Sequence, residues 1–132
     1  MDPATLMGQI DANARALDTA GAELGRAIKA MSEAEFAYDE AFESELLRIY
    51  HESKEAHERP PAEDVRKAMA HRAIRPTVYA AYLDARAQVD ALKAYVRALE
   101  ASVSARQSLL SALKAEGGIP AQQPQWTSAR AA

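Results

Sequence analysis

Seven cations crowd into 28 residues of this chain: Arg48, Lys54, Arg59, Arg66, Lys67, Arg72 and Arg75. Arg72, Arg75, Tyr79 and Arg86 follow one another at helical steps of three, four and seven, and Lys93 and Arg97 extend the stripe. Tyr50 lies among the same cations. Positive charge interleaved with tyrosine suits single-stranded nucleic acid, because cations neutralise phosphates and aromatic faces stack unpaired bases. Five acids share the bend (Glu52, Glu55, Glu58, Glu63 and Asp64), which leaves it only two charges positive. The pattern therefore fits a nucleic-acid contact or a charged, solvated turn between helices.

The acids make a second cluster. Glu33, Glu35, Asp39, Glu40, Glu43 and Glu45 occur with no base between them. Paired carboxylates can hold metals or move protons, but the Glu-x-x-His step of di-metal helical bundles is missing. The stretch reads as a solvated acidic face or a partner surface, with Glu40 and Glu43 at its centre. Phe36 lies off the neighbouring apolar seam and is an interface candidate; Tyr38 and Phe42, four apart, are a core-facing pair. His51, His57 and His71 are too irregularly spaced for a metal site and read as exposed polar residues near the bend. No nucleophile–base pair or glycine-rich phosphate loop is present. The expectation is a non-enzymatic protein with no cofactor and no metal.

Composition sets outer bounds. The chain has 132 residues and no cysteine, so disulfides and thiolate chemistry are excluded. Hydrophobic residues make up 48%, but almost half of these are alanine, which favours narrow seams and closely approaching helices over a thick core. A single small core is marginal, so self-association is expected. Nothing resembles a secretory signal or a membrane span, and a soluble protein of the cytoplasm is expected. Residues 1–64 carry 6 bases against 15 acids, and residues 65–132 carry 10 against 4. Acidic and basic halves folded on each other would pair sign against sign.

These groups must be positioned by long helices. Val78, Tyr82, Ala85, Val89, Leu92, Val96, Leu99, Val103, Arg106, Leu110 and Leu113 step alternately by four and three, the 3.5-residue repeat of a helix packed on helices. Arg106 is the one break. Val89, Leu92, Val96, Leu99, Val103, Leu110 and Leu113 are the candidate oligomer interface. An earlier seam runs Leu6, Ile10, Asn13, Leu17, Ala20, Leu24, Ile28, Met31, Tyr38, Phe42, Leu46 and Ile49. On it, Asn13 is either a register-fixing buried amide or a solvated side chain. Asp2-Pro3 is a good helix start, whereas Gly8, Gly21 and Gly25 weaken this helix and allow a break near Asp18–Gly21.

Arg59-Pro60-Pro61 ends the first helix and opens the next. Pro76 should kink or break the second arm, with Val65, Met69 and Ala73 as the inner face of its first part. The predicted fold is all-α: a long antiparallel helical hairpin or coiled coil with a kinked second arm, oligomeric. Its helices are expected at 3–58, 61–75 and 77–115 within a helical domain 1–116. Gly117-Gly118 stops the last helix, and residues 117–132 read as a flexible tail. That tail carries Trp126, either a partner anchor or a residue without a binding role.

Tyr38, Leu47-Arg48-Ile49-Tyr50, Val65-Arg66-Lys67-Ala68, Tyr79, Ala85-Arg86 and the run 104–116 resemble small helical proteins of tailed phages, and among characterised families the UvsY recombination mediators. That resemblance implies an all-helical, ring-forming protein that binds single-stranded DNA and helps load a recombinase onto strands covered by single-strand-binding protein. It would place Arg48, Tyr50, Lys54, Arg66 and Lys67 against DNA and give the last helix a role in oligomerisation. The chain differs from the family in its acidic balance, its extension before Phe36 and its Trp-bearing tail. The expected function is thus a phage recombination accessory protein that binds single-stranded DNA and contacts a recombinase or single-strand annealing protein, in the host cytoplasm. The alternatives are an inhibitor or adaptor whose acidic face mimics DNA, and a structural or scaffolding phage component.

Overall fold

The computed structural model describes residues 2–117, and within them every regular element is helical. Helix α1 runs Pro3–Glu55, α2 runs Glu63–Ile74, a π-helical turn occupies Arg75–Tyr79, and α3 runs Ala80–Glu116. Two helical arms are thus joined by a bend at residues 56–62. Trp126 and the rest of the expected tail after Gly117 lie outside the described residues.

Each boundary has a local cause. At the start of α1 the Asp2 carbonyl accepts from the Leu6 N–H at 3.1 Å, the first bond of the helix, and its carboxylate accepts from the Thr5 hydroxyl at 3.4 Å. The helix continues without a break through Gly8, Gly21 and Gly25, so the interruption expected near Asp18–Gly21 does not occur. Three glycine penalties of up to about 1 kcal/mol each are spread over a helix held by packing along one face.

α1 stops three residues earlier than the prolines alone predict. His57 takes a left-handed φ of 56°, the Glu58 N–H donates to Ser53 O at 2.9 Å, and the His57 N–H donates to Lys54 O at 3.2 Å. This is the Schellman arrangement, with histidine at the position glycine usually fills. α2 then begins at Glu63, after Ala62 at an extended ψ of 154°, with Glu63 and Asp64 in its first turn where the helix dipole favours them.

Pro76 does not end the second arm. A proline inside an α-helix clashes with the carbonyl four residues back and leaves it without a donor. Here the chain widens into a π turn over Arg75–Tyr79, Thr77 Oγ1 donates to Ile74 O at 3.4 Å, and α3 follows directly. π turns of this kind absorb a local fault without losing the helix.

The described residues divide into two compact units: residues 22–93, and the flanking stretches up to residue 21 and from residue 94 onward. In the flanking unit Leu6 and Ala20 are buried; Ile10, Leu17, Val96, Leu99, Val103, Leu110 and Leu113 are half-buried. Arg106 is half-buried too, since a long arginine can lay its stem along a seam and keep its head wet. Asn13 Nδ2 donates to Ser102 Oγ at 3.0 Å. The amide therefore sits on the seam with a partner, resolving the alternative left open by the sequence.

In the unit of residues 22–93, Ile49, Ala70, Ile74 and Val89 are buried. Tyr38 meets Tyr79 and Tyr82, while Ile49 shares a hollow with Met69. Rising numbers on α1 thus face falling numbers on the second arm, and the arms are antiparallel here. The seam of α1 differs from expectation at one step: Ile28 is 41% exposed, and Ala27 and Ala34 are half-buried in its place. The expected inner face of α2 is wrong. Val65, Met69 and Ala73 are exposed, and Arg66, Ala70 and Ile74 turn inward. Large apolar side chains at Val65 and Met69 pointed to the wrong face; the apolar residues covered on α2 are Ala70 and Ile74.

Candidate functional site: the basic and aromatic junction of α2 and α3

The nine residues expected to contact nucleic acid separate into three groups. Arg48 is occupied on its own helix: it bonds Glu45 Oε2 and Glu52 Oε1 at 2.8 and 2.7 Å. Those hydrogen bonds, with the two carboxylate charges, hold its guanidinium further above its ordinary pKa. Lys67 Nζ lies 3.1 Å from Glu63 Oε1. All three are surface i, i+3 or i, i+4 contacts, each contributing only a few tenths of a kcal/mol. They do lower the charge available to a polyanion.

Arg66 and Tyr79 turn inward. Arg66 is half-buried, and its Nε is covered with no hydrogen-bond partner. Tyr79 belongs to an aromatic cluster that helical spacing alone did not assemble. The Tyr38 ring lies 6.0 Å from Phe42 at an interplanar angle of 19°, 5.5 Å from Tyr79 and 6.2 Å from Tyr82. The His71 ring packs edge-on to Tyr79 at 4.7 Å, and its Nδ1 is 3.4 Å from Tyr38 Oη. Aromatic contacts in these geometries contribute about 0.5–1.5 kcal/mol each beyond simple burial. His71 is therefore a half-buried member of the cluster and not the exposed residue expected. His71 lies beside Ala70 on the covered face of α2, and the π turn that follows brings Tyr79 against it.

Lys54, Arg72, Arg75 and Arg86, with Tyr50, form the third group. All are exposed, and among the described residues none makes an ion pair. Tyr50 is exposed beside His51, with the rings edge-on at 5.9 Å. Arg72 and Arg75 also border a shallow hollow of about 540 Å³ whose floor is Val65, Ala68 and Met69, with Asp64 and His71 at its margins. Such a surface can hold anionic and apolar groups together. Among the described residues, no group of three or more histidines and carboxylates is placed to hold a metal ion.

The candidate oligomer seam is partly used by the chain itself. Val89 is 1% exposed, so its side chain is covered without a second copy, and Leu92, Val96, Leu99, Val103, Leu110 and Leu113 are half-buried. Glu40 and Glu43 are exposed on α1, as is Phe36 at 69%. Among the described residues no helix is long and apolar enough to cross a membrane. In comparisons with known proteins, the chain matches no protein family, no curated relative and no solved structure.

Proposed function

We propose that this chain is a non-enzymatic accessory protein of phage-type DNA recombination, a homo-oligomer that holds single-stranded DNA at the α2–α3 junction for a recombinase or single-strand annealing protein. The observation that carries the reading is the exposed set Arg72, Arg75 and Arg86, without ion pairs among the described residues while Arg48 and Lys67 are neutralised by neighbours. Unsatisfied cations spaced along one arm attract a phosphate chain, and copies joined in an assembly multiply a weak grip. The likeness of the tyrosine and arginine placements to UvsY mediators supports the same reading.

The experiment is a salt titration of binding to a fluorescent oligonucleotide, single-stranded and duplex in parallel. Binding to the single strand that weakens steeply with salt supports the reading; no binding at low salt removes it. The second reading is a DNA-mimicking inhibitor or adaptor built on Glu40 and Glu43, whose carboxylates are exposed and without ion pairs among the described residues. In that case reversing those two charges abolishes activity, and changes at Arg72 and Arg75 do not.

A further inference from the structure

Two unpartnered helix faces of residues 22–93 match each other in length, charge and order. On the outer side of α1, Glu40, Glu43, Leu47 and Tyr50 follow at steps of three, four and three, the spacing of one helical stripe. Leu47 is 59% exposed, Tyr50 is also exposed, and both acids are exposed and free of ion pairs among the described residues. On the outer side of α2 and the first residue of the π turn the stripe is Val65, Met69, Arg72 and Arg75, where Val65 is 51% and Met69 45% exposed. Both stripes are open in the single chain, so neither satisfies the other within it.

We infer that the α1 stripe of one copy docks antiparallel on the α2 stripe of a second copy of this chain. In that register Tyr50 lies over Val65, Leu47 over Met69, Glu43 over Arg72 and Glu40 over Arg75. Each stripe covers ten residue steps, about 15 Å of helix, so apolar meets apolar and acid meets arginine along the whole contact. Large apolar side chains exposed at helical spacing are costly to leave in water. The shallow hollow floored by Val65 and Met69 has room for Leu47 and Tyr50 of the incoming helix. Charge complementarity selects the occupant: the face that carries Arg72 and Arg75 repels a basic helix and accepts this acidic one. Phe36, farther along α1, extends the apolar surface toward the α3 side of the junction.

The docking surface serves self-association and does not require DNA binding. It would place a second copy on the same arginines that the DNA reading uses, so an oligonucleotide and a second copy compete for them.

Charge exchange tests it. Sedimentation of the full chain at low salt should show an assembly that dissociates as salt rises. E40K/E43K and R72E/R75E should each weaken association at least about tenfold, since like charges then face each other. An equimolar mixture of the two variants should associate again, because each reversed stripe meets its complement. That recovery also excludes misfolding as the cause of weakened association in either variant alone. A monomeric wild type at low salt, variants that keep the wild-type mass, or a mixture that stays apart each overturns the inference. Association measured without oligonucleotide reports on the docking alone, and E40K/E43K, which retains every arginine with none covered by a second copy, should bind an oligonucleotide at least as well as the wild type if the DNA reading holds.

Discussion

Asn13 donates through Nδ2 to Ser102 Oγ at 3.0 Å, joining two helices at residues 89 apart in sequence. It is a polar contact on a seam that is otherwise aliphatic except at Arg106. A paired amide at such a position admits one register and penalises the others, which would leave it buried without a partner.

Replacing either member should therefore cost more than its size suggests. Asn13→Ala and Ser102→Ala are each expected to lower unfolding free energy by about 0.5–1.5 kcal/mol, with the double variant losing less than the sum. Urea denaturation of the four proteins gives the coupling. Strict additivity would show that the bond contributes nothing.

The left-handed His57 offers the opposite sign. Glycine meets no steric penalty at φ of 56°, whereas histidine does. His57→Gly should raise stability by up to about 1 kcal/mol, seen as a higher melting temperature without change in helical content.

Gly21 and Gly25 sit mid-helix, and a Cβ added at either meets nothing within 4 Å. Gly21→Ala and Gly25→Ala should each stabilise by about 0.5–1 kcal/mol through reduced freedom of the unfolded chain. A loss of stability in chemical denaturation would mean that a further surface approaches the helix there.

Pro76→Ala removes the cause of the π turn. The junction should relax to ordinary α-helix, rotating Tyr79 by about one residue's phase away from Tyr38 and His71. Near-ultraviolet circular dichroism of the tyrosines should change while far-ultraviolet helicity stays constant. An unchanged tyrosine signal would mean that aromatic packing, and not the proline, holds the turn.

DNA binding, if it follows the exposed arginines, should discriminate between cations of the same type. Arg72→Ala with Arg75→Ala should flatten the salt dependence by about 1.4 log units per log unit of salt, at roughly 0.7 for each phosphate no longer neutralised. Arg48→Ala with Lys67→Ala should change it far less, because those charges are already paired with Glu45, Glu52 and Glu63. Equal effects from both pairs in fluorescence anisotropy would contradict the division of the site.

What could be read directly was whatever depends on nearby residues and on periodicity. The 3.5-residue step from Val78 to Leu113 marks the residues that α3 covers, since a helix can bury only one stripe against a neighbour. Asp2-Pro3 and the double proline mark their helix ends because capping and φ restriction act within a few residues. Exposed Arg72, Arg75 and Arg86 were likewise legible from helical spacing.

Phase and partner were not. A π turn adds one residue to a helical turn, and no spacing rule at Pro76 reveals whether the chain breaks, kinks or widens. From that choice follow the Tyr38–His71–Tyr79 cluster and the removal of Tyr79 from the exposed set. Inversion of α2, with Ala70 and Ile74 inward and Val65 and Met69 outward, was hidden because this short helix carries apolar residues on both faces, and periodicity cannot rank one above the other. Helical character, the place of the turn and the charges carried follow from the order of residues alone. Which side of α2 is covered came only from the fold, because both of its faces carry apolar residues and periodicity cannot choose between them.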